Sequence, residues 1–339
     1  MPSSPPPFAT GLAGARVLVT GGSGFIGTNL VSAYKSAGVA VTNVDIVQPR
    51  NPDDHDAWVR ADITHVDELR DAFAAIRPTH VFHLGARTDL DGKSVEDYDA
   101  NVGGVANLIS VVKTASEPVL RTVVASSRLV CRIGYQPASD DDYLPTTAYG
   151  ESKIETERLM RSAPELPWVL VRPTSIWGPW FGVPYRDFFM NVARGRYVHP
   201  AGRRIEKSFG YVGNATWQLH RVMTAPAVDV LGRTLYLGDD PPIEVQNLAI
   251  KISVAVGRRP PRAVPLVVLR LIARAGDAAE RARIRAPLTS FRLDNLLTPM
   301  ILDVGELMRI TGPLPYDEAA GVSATVAWMR REGLLEPPH

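Results

Sequence analysis

Residues 17–27 constrain what this chain can fold into more than any others. Val17–Leu18–Val19–Thr20 is a short strand pattern, Gly21–Gly22–Ser23–Gly24 a glycine turn, and Phe25–Ile26–Gly27 the opening of a helix. A helix start presents unpaired N–H groups and the positive end of its dipole. Glycine lets the backbone turn tightly and come within contact distance of a phosphate. A Gly-x-x-Gly-x-x-Gly spacing (Gly21, Gly24, Gly27) after a strand and before a helix therefore reads as a dinucleotide cradle. The competing reading is a turn that only ends a strand.

The first half continues in the same alternation. Strand patterns cover 16–20, 40–44, 58–61, 80–84, 121–126 and 168–172, and helical periods cover 25–36, 66–76, 95–114 and 149–162. Such alternation favours a parallel sheet with helices on both faces. After Arg172, prolines and aromatics (Pro173, Trp177, Pro179, Trp180, Phe181, Pro184, Tyr185) break the period, and strands at 209–212 and 234–237 and a helix at 245–256 follow. The segment from Pro260 onward reads as mostly helical.

Two spacings carry chemistry. Asp45 ends the second strand about twenty residues past the glycine loop, where an acid accepts both ribose hydroxyls of an adenosine and repels a 2′-phosphate. NAD is therefore the expected cofactor. Asp62–Ile63, after the third strand, faces the adenine in this reading, or Asp62 caps the next helix. Tyr149 and Lys153 stand four apart, on one face of a helix. A cation beside a phenol lowers its pKa from about 10 and makes a general base. Ser126 and Ser127 end the fifth strand, on the sheet edge where α/β folds bind ligands.

Composition narrows the class. A formal net charge of +1 favours no nucleic acid, and the single cysteine, Cys131, fits a reducing, cytoplasmic setting. There is no Cys-x-x-Cys or His-x-x-x-His pair, so no metal site is expected. The Pro- and Ser-rich start lacks the charged and apolar regions of a secretory signal and reads as an unstructured tail over 1–13. No apolar run is long enough to span a membrane. The apolar stretch 263–269, followed by Arg270 and Arg274, reads as a buried helix, with a membrane surface or an apolar substrate as the lesser reading.

Taken together, these motifs resemble the extended short-chain dehydrogenase/reductase family, of the NAD-dependent nucleotide-sugar epimerase/dehydratase type, over nearly the whole chain. Thr20–Gly27 resembles its cofactor loop, His83–Leu84–Gly85–Ala86 its fourth-strand motif, and Asn101–Val102–Gly103–Gly104 its next helix motif. Ser127, Tyr149 and Lys153 fall at its catalytic positions, and Arg172–Pro173, Trp177–Gly178–Pro179, Phe209–Val212 and Tyr236–Gly238 at later landmarks. The resemblance implies an α/β Rossmann-type doubly wound parallel sheet over 14–172 and 209–232. A smaller C-terminal substrate-binding lobe would take 173–208 and 233–339. It implies cofactor contacts from Gly21, Gly24, Phe25, Ile26, Gly27, Asp45, Asp62, Ile63, Leu84, Gly85, Ala86, Asn101, Tyr149, Lys153 and Pro173. Substrate contacts would come from Arg87, Thr88, Arg128, Ser175, Lys207 and Arg292. A homodimer through the helices at 95–114 and 149–162 is part of the same implication.

The departures select among reactions. Arg128 and Leu129 stand where dehydratases of the family carry acids. What remains is oxidation of one carbinol, with or without return of the hydride. A 4-epimerase of a UDP-hexose or UDP-hexuronate is the leading expectation. The alternative is a dehydrogenase or ketoreductase of a secondary alcohol such as a 3β-hydroxysteroid or a 4-keto sugar, because 263–298 resembles the 3β-hydroxysteroid and sterol-carboxylate dehydrogenase branch.

Overall fold

The protein is described by a computed structural model covering residues 7–284, 286 and 288–336. Its N-terminal half runs β1 (Arg16–Thr20), α1 (Phe25–Ser36), β2 (Ala40–Asp45), β3 (Trp58–Arg60), α2 (Val66–Ile76) and β4 (His80–His83). It continues with α3 (Asp99–Thr114), β5 (Arg121–Ala125), α4 (Ala148–Arg161) and β6 (Trp168–Pro173). Then come β7 (Ser175–Trp177), α5 (Tyr185–Ala193), β8 (Val198–Pro200), β9 (Glu206–Lys207), β10 (Phe209–Tyr211), α6 (Val212–Thr224), α7 (Ala227–Val230) and β11 (Thr234–Leu237). The chain closes through β12 (Ile243–Glu244), α8 (Val245–Ala255), β13 (Arg262–Val264), α9 (Leu266–Arg281), α10 (Ser290–Leu297), α11 (Gly305–Thr311) and α12 (Glu318–Arg331).

Seven parallel strands form the sheet in the order β11-β6-β5-β4-β1-β2-β3. Successive strand residues face opposite layers, as the two-residue period requires. Val17 and Val19 pack under α1 and α6, with Leu30, Tyr34 and Leu219, while Leu18 packs under α2 and α3, with Leu69 and Leu108. Both faces are thus covered, and the strand order reverses between β1 and β4. Open α/β sheets bind ligands in the crevice at that reversal. A third core, built on Trp177, Phe181, Phe189, Val212, Leu248 and Trp328, holds β7, α5, α8 and α12 together beside the crevice.

Two expectations are corrected here. Residues 7–13 are not an unstructured tail. Phe8 and Leu12 are buried in the first core, and Phe8 meets the rings of Tyr34, Trp217 and His220 edge-on at 5.9, 5.8 and 5.4 Å. Burial of a large aromatic outweighs the local Pro-rich composition. Residues 1–6 lie outside the described set. Phe8→Ala is expected to cost about 3 kcal/mol and to lower the thermal unfolding midpoint by several degrees; an unchanged midpoint in calorimetry would refute the docking.

The stretch 263–269 is not a buried helix: Ala263 and Val264 belong to β13, paired with β8, and α9 begins at Leu266 with most of its surface exposed. Of α9 only Leu269, Ala273 and Gly276 are buried; Leu269 and Ala273 pack with Leu293 of α10, and Leu266 packs against them half-buried.

Candidate active site

The cradle forms as its spacing requires. Gly21 has φ +71°, and a Cβ there would lie 2.5 Å from the backbone nitrogen of Gly85, so only glycine lets β1 run this close to the end of β4. Helix α1 starts at Gly24 with no side-chain cap and no acid in its first turn. Its first N–H groups therefore face the crevice without an anionic neighbour of their own. Asp45 ends β2 beside this loop, where its carboxylate accepts from the N–H of Ser23 at 3.0 Å and of Val47 at 3.1 Å. Ile63 lies over Gly85 and Gly104, so it forms part of the crevice wall. Asp62 instead accepts from the N–H and hydroxyl of Thr64 at 2.9 and 2.7 Å, which makes it the cap of the turn into α2.

Asn101 is buried on α3 and works as a clamp. Its Oδ1 accepts from the N–H of Arg87 at 2.8 Å, and its Nδ2 donates to the Arg87 carbonyl at 3.1 Å and to Ser152 Oγ on α4 at 2.9 Å. The loop Leu84–Gly85–Ala86 is thereby fixed to the helix that carries Tyr149. Pro173, at the end of β6, pairs in register with Leu237 on β11.

Helix α4 is capped by Thr147, whose hydroxyl accepts from the N–H of Gly150 at 3.0 Å. A Cβ on Gly150 would lie 2.3 Å from the Leu129 carbonyl oxygen. The absent side chain lets α4 press against the turn after β5 and brings Tyr149 beside Ser127. Ser127 Oγ accepts from the N–H of Leu129 at 3.1 Å. Burial pushes the Tyr149 phenol up to about 12, opposed by the adjacent Ser127 hydroxyl. Lys153 is fully enclosed, and burial brings its amine down to about 8; it donates to the Ala125 carbonyl at 2.9 Å. The expectation that Lys153 lowers the Tyr149 pKa is therefore not met here. Desolvation dominates both groups, and the ammonium is spent on the strand end.

One important residue escaped the sequence reading. Glu157, four positions after Lys153, is buried on the same face of α4. It takes Arg172 Nε at 2.8 Å and Nη2 at 2.7 Å, Ser126 Oγ at 2.6 Å and Tyr143 Oη at 2.9 Å. The i,i+4 continuation from Tyr149 through Lys153 was the available signal.

The structure also redistributes the expected substrate contacts. Arg87 grips Asp89 through Nε and Nη2 at 2.8 and 3.0 Å and lies over the Tyr98 ring, so it braces its own loop; Thr88 is exposed. Lys207 Nζ donates to the Asn295 carbonyl at 2.8 Å and to the Thr298 carbonyl, closing the C-terminus of α10. Arg292 is exposed on α10, where it donates to the Ala286 carbonyl at 2.5 Å and lies 3.8 Å from Glu280. Ser175 is buried on β7 next to the phenol of Tyr185. Arg128 alone of these cations keeps its guanidinium without a hydrogen-bond acceptor among the described residues. Burial lowers its pKa, and the phenols of Tyr185 and Tyr236 stand within electrostatic range.

Residues 17–216 match the NAD dependent epimerase/dehydratase family. The chain belongs to that family. A 3-beta-hydroxysteroid dehydrogenase of Mycolicibacterium neoaurum is 31% identical over 270 residues, covering 73% of this chain and 71% of the relative. A UDP-glucose 4-epimerase of Mycolicibacterium smegmatis is 29% identical over 180 residues, 48% of this chain and 57% of that one. The solved UDP-glucose 4-epimerase of Thermotoga maritima superposes with a TM-score of 0.70 at 19% identity, covering 94% of this chain and 99% of that one, which shows the shared fold. The family's dinucleotide fits the residues present: an uncapped helix start, a loop with no side chain in the way, and an acid at the end of β2.

Proposed function

We propose that this protein is an NAD-dependent dehydrogenase or ketoreductase of a secondary alcohol on a largely apolar substrate. The carrying observation is the commitment of the cations. Lys207 and Arg292, the groups expected to hold a nucleotide diphosphate, are engaged with backbone carbonyls, Lys207 at the C-terminal end of α10 and Arg292 in the loop that precedes α10. The similarity to a 3-beta-hydroxysteroid dehydrogenase over most of both chains supports the same reading. Gly21, Gly24, Phe25, Ile26, Gly27, Leu84, Gly85, Ala86 and Ile63 would wall NAD, and Asp45 would hold its adenosine ribose.

When bound, NAD accepts or returns the hydride. Ser127 orients the substrate oxygen and Tyr149 moves its proton, with Lys153 holding the floor of the cleft through Ala125. With its pKa pushed to about 12, Tyr149 is a neutral phenol at neutral pH, which suits proton donation to a ketone being reduced. A cytoplasmic homodimer through α3 and α4 remains part of the proposal.

A UDP-hexose or UDP-hexuronate 4-epimerase is the second reading. It is favoured by the guanidinium of Arg128, which follows Ser127 and has no hydrogen-bond acceptor among the described residues, a ready partner for a diphosphate or a carboxylate. One experiment separates the two. The protein is incubated with NAD or NADP and a panel of 3β-hydroxysteroids, 3-hydroxy acids and UDP-sugars, and absorbance at the NADH band is read with product stereochemistry. Stoichiometric NADH from an apolar alcohol, with NAD preferred, is expected. Inversion of a UDP-sugar without NADH would establish the epimerase instead.

A further inference from the structure

Helix α9 carries a face that the enzyme reading does not use. At 100° per residue, Leu269, Ala273 and Gly276 fall on the buried side, against α10. Val267 and Leu271 lie opposite it, Val268 and Ile272 continue that arc round one flank, and Ile284 and Phe291 follow in the next loop and in α10. These six are 42–73% exposed and make up a third of the eighteen large apolar side chains that the described residues expose. Arg270, Arg274 and Arg281 line one edge of that arc. From 258 to 292 the sequence has nine arginines against Asp277 and Glu280, a charge of +7 in a chain whose total is +1.

We propose that this face is an interfacial docking surface for an anionic lipid membrane. An apolar arc flanked by arginines is the arrangement that lies in the plane of a bilayer, with aliphatic side chains among the acyl chains and guanidinium groups at the phosphates. A second copy of this chain is the poorer occupant, because a two-fold contact would bring two strongly basic patches together. No described helix is long and apolar enough to cross a membrane, so the contact is with one leaflet. Lys207 ties the C-terminal end of α10, which packs against α9, to β9 through the Asn295 carbonyl at 2.8 Å. The inference stands whichever alcohol the enzyme oxidises.

The test is flotation of the full chain with vesicles of phosphatidylcholine alone and with added phosphatidylglycerol, at low and high salt. Co-flotation with the anionic vesicles only, weakened by salt, is expected. Arg270→Gln/Arg274→Gln should weaken vesicle binding roughly 30-fold, at ~1 kcal/mol per arginine. Leu271→Asp/Ile272→Asp should abolish it. Far-ultraviolet circular dichroism and NAD binding check that both variants remain folded. Wild-type protein that stays in the aqueous fraction overturns the proposal. So do variants that float like wild type, or a wild-type dimer that Leu271→Asp/Ile272→Asp dissociates without any vesicle binding.

Discussion

Tyr149→Phe is expected to cut turnover by roughly 10²–10⁴-fold while fold and NAD affinity persist. The phenol is the titratable group beside Ser127, and no second acid stands in the turn that follows, where Arg128 and Leu129 lie. Its raised pKa gives the two directions of reaction opposite pH dependence. Ketone reduction uses the protonated phenol and stays flat through neutral pH. Alcohol oxidation needs the phenolate and speeds up as pH rises toward about 12. Stopped-flow NADH traces in both directions read this directly, and equal slopes would remove Tyr149 from the proton path.

Lys153→Met supplies the companion measurement. The drop of its amine from the usual 10.5 to about 8 corresponds to roughly 3 kcal/mol of burial cost at neutral pH. Between those values the unfolded chain keeps a proton that the folded chain releases, so this group's contribution to stability rises with pH across that window. The variant should therefore gain about 1–3 kcal/mol at pH 7, after the lost hydrogen bond to Ala125 is subtracted, and lose activity. A site group that weakens its own fold is hard to explain as packing.

Much of this arrangement was legible. Helices 25–36 and 66–76 form as read, because clear periods are bounded by Gly24 and by Arg77–Pro78. The helix read at 95–114 starts with a tighter 3₁₀ turn, Val95–Tyr98, where the Tyr98 phenol donates to the Asp89 carbonyl at 2.9 Å. The glycine loop, Asp45, Ser127, Tyr149 and Lys153 converge on the crevice because each ends a strand or opens a helix at the same sheet edge. The cations were not legible. A basic side chain has acceptors of many kinds within reach, and nothing local says that Lys207 meets the end of α10 or that Arg87 meets Asp89. Phe8 was equally hidden, since its partners Tyr34, Trp217 and His220 are distant in sequence.

Glu157→Gln and Arg172→Met should each destabilise the protein by about 3–5 kcal/mol, because the first leaves buried Arg172 without its carboxylate and the second leaves buried Glu157 with only the partly exposed Arg161 as a charged partner. Both side chains are fully enclosed, and Arg172 is flanked by the rings of Tyr143 and Tyr236. Burial alone would push the Glu157 carboxyl up, but the hydrogen bonds and charge of Arg172, with Ser126 and Tyr143, bring it below its ordinary value. Its contribution is therefore present above the carboxylate range and is lost as pH falls through the folded-state pKa. In Arg172→Met the carboxylate keeps Arg161 at 3.2 Å with Ser126 and Tyr143 but loses the two hydrogen bonds and the buried charge of Arg172, so its pKa rises and less of that stability is present at neutral pH. Urea unfolding at pH 5 and pH 7 should show a gap between wild type and Arg172→Met that widens at the higher pH. The double variant Glu157→Gln/Arg172→Met should lose less than the sum of the singles, since neither charge is left behind. Additive losses, or a gap that narrows with pH, would mean that the two act independently. The pair would then not be what holds Ser126, and through it the β5 end beside Ser127, against α4.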